Sequence, residues 1–211
     1  MTFTVTKCNK KNLTLPPCQG RIIEAKFVKE EVTSDGGVLL LREIDRKIRL
    51  ISELEKIIPD PREQSKVTHS LISMLKQRIY GIALGYEDLN DHATLRNDPA
   101  IQTAVDRVEP LASSPTLCRM ENRSNRKIIF DANKLMTEKF IESFDSPPSE
   151  IILDFDATED EVHGHQENRY FHGYYGCYCF LPLHVFCGNQ LLISYLRPSN
   201  IDGEKHAWAI L

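Results

Sequence analysis

Long apolar runs are missing from this sequence. No stretch approaches the roughly 20 residues that a membrane-spanning helix requires, so nothing in it reads as a membrane partner. The opening residues, Met1-Thr-Phe-Thr-Val-Thr-Lys-Cys8, lack the basic-then-apolar pattern of a secretory signal. An excess of positive charge is missing too. With 26 Lys and Arg against 30 Asp and Glu, the formal net charge is -4. That argues against a dedicated basic nucleic-acid module and leaves local patches open. Cysteine is sparse and scattered, with six residues (Cys8, Cys18, Cys118, Cys177, Cys179 and Cys187) among 211. A chain of this length buries its own core without staples, so the thiols are expected to be reduced and the protein cytoplasmic. No repeat of 20 to 50 residues is visible.

What is present falls into three segments. Residues 1–33 read as a polar leader ending in an extended turn at Pro16-Pro17, then a strand near Ile22 to Val32. Residues 34–148 read as mostly helical, with DNA as a candidate partner. Ser34 or Asp35 is placed to cap a helix in which Val38, Leu39, Leu41, Ile44 and Ile48 recur at helical spacing. A second helix is predicted over about 65–84, with Val67, Leu71, Leu75, Ile79 and Ile82 on one stripe. A third is predicted from Thr116 towards Phe144, with an interruption near Ser124. In it Arg119, Arg123 and Lys127 stand at i, i+4 and i+8, with Arg126 beside them. Such a stripe is suited to a phosphate backbone, although it also describes an ordinary solvated face.

Residues 149–211 hold the stretch around which the chain is arranged, Ile151-Ile-Leu-Asp-Phe-Asp-Ala-Thr158. Three apolar residues run into Asp154 and Asp156, as in a short buried strand that delivers carboxylates to its end. Period two puts Asp154 and Asp156 on one face. Hard Mg2+ or Mn2+ ions take such oxygen ligands. Aspartates that cap a turn or pair with a lysine fit the pattern as well. Next come a loop with His163, His165, Glu167 and His172, a strand from Tyr174 to Phe186, the Gly188-Asn189 turn, and a strand from Gln190 to Leu196. The result is a β-meander whose first strand carries the aspartates. The spacing of His165 and Glu167 is that of zinc deaminases, which also need Pro-Cys-x-x-Cys. Here the pair is Cys177-Tyr-Cys179 without the proline. A His-site metalloenzyme unrelated to nucleic acid therefore stays open as an alternative.

Leu153-Asp-Phe-Asp-Ala-Thr158, His163-Gly-His-Gln-Glu167, Tyr170-Phe-His-Gly-Tyr-Tyr175, Leu181-Pro-Leu183 and Leu196-Arg-Pro-Ser-Asn200 together resemble the amino-terminal half of DDE-type insertion-sequence transposases, DDE group one. Upstream, Ser34-Asp-Gly-Gly-Val-Leu-Leu-Leu41, the run from Gln77 to Asp91, and Thr116-Leu-Cys-Arg-Met-Glu-Asn122 are similar to the same family, in the same order. The resemblance implies an α+β chain: a helical region followed by the first three strands of a truncated RNase H-like core. It implies Asp156 as the first catalytic, metal-holding carboxylate, with Asp154 as its fallback, and Mg2+ or Mn2+ in the complete site. It implies transposon-end DNA as the partner, and it leaves room for a homo-oligomer. Arg119, Arg123, Arg126, Lys127, His163, His165, Arg197 and Asn200 are the candidate DNA contacts. The second Asp and the Glu of the family find no match here, so the expectation is a fragment inactive on its own. A non-catalytic remnant that still binds DNA or the full-length transposase is the alternative.

Overall fold

Two neighbouring residues with positive φ set the first element pair. The computed structural model describes residues 13–25 and 35–210, and within it β1 (Leu13–Cys18) and β2 (Arg21–Ala25) form an antiparallel hairpin. Gln19 (φ 44°) and Gly20 (φ 83°) make its turn, a backbone twist that suits a two-residue hairpin. Pro16 and Pro17 are therefore strand residues rather than the end of a leader. The register shifts between Leu15 and Cys18, where the prolines sit; lacking N–H groups, prolines are tolerated in strands at such irregularities and edges. The expected strand to Val32 is seen only as Arg21–Ala25. Its remainder, the first 12 residues and Ser34 lie outside the described residues.

The chain divides into two compact units, with the boundary between Ser124 and Asn125. The boundary falls inside the expected 34–148 segment, because the last long helix packs on a strand of the second unit.

In the first unit, α1 (Val38–Ile48) and α2 (Leu50–Ile57) are separated by Arg49, which adopts a left-handed conformation (φ 58°). The expected apolar stripe is only partly the buried face of α1: Val38 is buried and Leu39 and Leu41 pack against the core. Ile44 and Ile48 are exposed together with Leu40, while Val38, Arg42 and Asp45 are buried. Two polar residues occupy the interior because they find partners there. Arg42 donates to Asp106 (2.7 Å), and Asp45 accepts from the Ile51 N–H (3.0 Å) and the Tyr80 hydroxyl (3.4 Å). Asp35 does not cap α1; its carboxylate accepts from the Tyr86 hydroxyl at 3.2 Å.

The next helix, α3 (Leu71–Ala83), is capped by Ser70 and buries Leu71, Met74, Leu75, Gln77 and Tyr80. Val67 precedes it and Ile82 is exposed, so the stripe read from the sequence is only partly the inner one. The Gln77 amide holds the backbone of Ala112 at both its N–H (3.0 Å) and its C=O (2.9 Å), and lies 3.2 Å from His92 Nδ1. The short helices α4 (His92–Leu95), α5 (Pro99–Ala104) and α6 (Ser114–Glu121) complete this unit around a core that includes Ile51, Met74, Ile101, Leu111 and Leu117.

The second unit opens with α7 (Arg126–Glu142), followed by β3 (Asp154–Ala157), β4 (Asp160–Glu161), β5 (Tyr170–His172), β6 (Cys177–Phe180), β7 (Leu183–Cys187), β8 (Gln190–Tyr195) and α8 (Ala207–Ile210). The strands form two antiparallel sheets of three, in the orders β3-β7-β8 and β4-β6-β5. The single long strand expected from Tyr174 to Phe186 is thus two strands of different sheets, divided at Leu181-Pro182. The α+β class stands: helices with small antiparallel sheets. Along the outer edge of β8, Asn133 of α7 accepts from the Ser194 N–H (2.7 Å) and donates to its C=O (3.1 Å). Thr137 donates to the Leu192 carbonyl (3.4 Å). The helix thereby occupies an edge that would otherwise offer free backbone groups.

Candidate active site

The aspartate strand is shorter and wetter than its sequence suggests. Ile151 and Ile152 are exposed and precede β3, so the apolar run does not bury the strand. Within β3, Asp154 and Asp156 are exposed while Phe155 and Ala157 are half-buried. Both carboxylates share one face, as period two requires, and that face meets solvent. An exposed carboxylate needs no buried counter-charge, which leaves its oxygens free to take a cation. Asp156 Oδ2 accepts from the Thr158 hydroxyl at 2.9 Å, a contact that also fits a turn-capping aspartate. Strand β3 lies at one side of its sheet.

Register brings one residue to this face that sequence reading missed. Asp156 is directly opposite His184 on β7, and Asp154 is opposite Phe186. Residues opposed across an antiparallel pair share a face. His184 is half-buried, its ring 6.3 Å from that of Phe186, and its Nδ1 is buried without a hydrogen-bond partner. Nothing in the linear order links positions 156 and 184; only strand pairing does. Among the described residues, no three His, Cys, Asp or Glu side chains are gathered as a set that could hold a metal ion. The carboxylate pair suits a hard divalent cation that keeps most of its waters, as Mg2+ does.

The basic stripe is divided. Helix α6 ends at Glu121 and α7 begins at Arg126, so Arg119 and Arg123 belong to the first unit and Arg126 and Lys127 to the second. The four residues do not line a single helix, because Asn125 caps α7 afresh by accepting from the Ile128 N–H at 3.1 Å. Arg119 is exposed and donates to the Thr116 hydroxyl (3.1 Å). Arg123 lies 3.5 Å from Asp60, whose carboxyl is held well below the usual range, chiefly by the bonds that Arg62 donates to it. Arg126 is exposed, and Lys127 pairs with Asp131 one turn along α7.

In the loop of the second unit, His163 and His165 are exposed, and His165 Nδ1 lies 2.9 Å from an Arg169 nitrogen. Asn200 is exposed. Arg197 is buried: it donates to the carbonyls of Leu181 (2.8 Å), Gly203 (3.1 Å) and Lys205 (2.5 Å). Burial lowers its pKa from the usual arginine value. In this arrangement Arg197 ties the turn after β8 to the end of β6 and does not present its guanidinium to solvent.

No curated protein and no solved structure matches the chain. The family model described as transposase DDE domain, group 1, matches residues 15–211, a span that takes in the hairpin, the helical region and the carboxylate strand alike. The chain therefore belongs to the DDE group 1 transposase family.

Proposed function

We propose that this chain carries the first carboxylate of a DNA-cutting and DNA-joining site, with Asp156 as the metal-holding catalytic residue and Asp154 beside it. The observation that carries the reading is the pair of exposed aspartates on one face of β3, in the Asp-Phe-Asp-Ala-Thr segment that resembles the family's first catalytic strand. In this reading the β3-β7-β8 sheet is the start of an RNase H-like core. The partner is transposon-end DNA, contacted by exposed groups such as Arg119, Arg126, Lys127, His163, His165 and Asn200, and the protein works in the cytoplasm.

Two divalent cations, Mg2+ or Mn2+, when bound, supply a nucleophile of lowered pKa and a counter-charge for the leaving oxygen. The chain's own contribution is to present Asp156 at the solvent face of a strand, with Thr158 donating to one of its oxygens and His184 opposite. We assign no residue of this sequence as the second Asp or the Glu of the triad, so strand transfer by this polypeptide alone is proposed to be weak or absent. Assaying strand transfer by a polypeptide in which all three carboxylates are present tests the assignment. Asp156→Ala is expected to cut transfer by roughly a hundred- to a thousandfold, the range for losing one group that stabilises the transition state. Full activity in that variant sinks the reading.

A further inference from the structure

We propose that the outer face of the β4-β6-β5 sheet is a stacking platform for an unpaired DNA base. Phe171 on β5 and Tyr178 on β6 are directly opposed in register, with ring centroids 5.6 Å apart in an edge-to-face arrangement. Although they touch each other, these rings stay 57% and 50% exposed, so they form a surface rather than a core. Arg169 lies across the Tyr178 ring at 4.7 Å and bonds to His165, and among the described residues no carboxylate pairs with it. The opposite face of the same sheet carries Cys177 and the buried Cys179. On that face Cys179 is buried while Tyr170 and Glu161 are exposed; the other face presents two aromatic rings and a guanidinium.

Such a surface matches the π-face of a nucleobase, with the cation contributing to the stack. The carboxylates of β4 narrow the choice. Asp160, opposite Phe180, shares the platform's face, whereas Glu161, opposite Cys179, shares the other. A carboxylate at the platform's margin repels a phosphate backbone laid across it but not a single base set down on the rings. The position suits the occupant as well. Strand β4 starts four residues after Asp156, a reach of at most about 14 Å. Strand β6, which carries Tyr178, is the direct neighbour of β4, so a base freed near β3 is proposed to reach the platform.

This assignment rests on the DNA-processing function proposed above, and its test separates the two. Binding of the full chain to a labelled single strand of about 12 nucleotides, and to its duplex, is followed by fluorescence anisotropy. Tyr178→Ala and Phe171→Ala should each weaken single-strand binding roughly 5- to 100-fold, the range for loss of one stacked base. Duplex affinity should stay within about twofold, and Tyr178→Phe, which keeps a ring, should bind like the parent. Thermal unfolding by circular dichroism checks that each variant folds; if Tyr178→Ala does not, the more exposed Phe171→Ala carries the test. Unchanged single-strand affinity in a folded alanine variant, or equal losses for both DNA forms, overturns the platform alone. Failure of the parent to bind either DNA form overturns the DNA reading and the platform with it.

Discussion

Asp106 shows how much of the first unit hangs on one carboxylate. It adopts a left-handed backbone (φ 63°) and gathers three cations: Arg42 at 2.7 Å, Arg46 at 3.2 Å and Lys76 at 2.8 Å. Burial pushes its pKa up, but the Lys76 bond and the charges of Lys76, Arg42 and Arg46 outweigh this and hold it below the ordinary value. A depressed carboxylate stabilises the fold above its unfolded pKa, near 4, and that contribution is lost as pH falls through the lower folded value. Asp106→Asn retains a side chain that tolerates the left-handed backbone but removes the charge opposite the fully buried Arg42. The substitution should cost about 2–4 kcal/mol, below the fully buried case because Asp106 is partly solvated. Chemical denaturation at neutral pH measures the loss, and the gap between variant and parent should shrink below about pH 4. Gly81 makes a second residue-scale test. A Cβ there would lie 2.9 Å from His92 Cε1, on a ring that Gln77 and the surrounding core hold in place. Gly81→Ala is expected to destabilise by about 1–3 kcal/mol through overpacking. A melting temperature equal to or above the parent's would show that the ring gives way.

At the scale of elements, the pairing of α7 with β8 decides whether a sheet edge is open. Asn133 satisfies both backbone groups of Ser194, much as a neighbouring strand would. Asn133→Ala should lower stability by about 1–3 kcal/mol, since two backbone groups lose their partners. It should also raise the proportion of aggregate in gel filtration, because edge groups become available to other chains. Helix α7 was legible as a helix from its spacing, but its role was not: an asparagine in a helix carries no sign of which strand it will meet. The same holds for the second half of α1, where periodicity correctly put Val38, Leu39 and Leu41 towards the core but also pointed at Ile44 and Ile48, while the interior received Arg42 and Asp45. Apolar spacing describes a face that can be buried. It does not say whether buried polar partners such as Asp106 and Tyr80 will claim another face instead.

For the molecule as a whole, net charge and local charge make separate predictions. With a net charge of -4, non-specific DNA affinity should be weak and modestly salt-dependent, carried by a few exposed cations. Arg119→Ala and Lys127→Ala should each lower the slope of log affinity against log salt by about one. An unchanged slope would remove that residue from the interface.

The order of motifs along the chain carried the family and the α+β class, and it is what proposes Asp156, because these depend on residue identity and local period. Tertiary pairing alone decided the rest. It placed His184 beside Asp156, split the basic stripe among α6, the turn after it and α7, buried Arg197 and set Phe171 against Tyr178. Each of those outcomes depends on which backbone groups satisfy one another across long separations. A one-dimensional pattern does not encode that, because many pairings satisfy the same local preferences and only the packed whole selects among them.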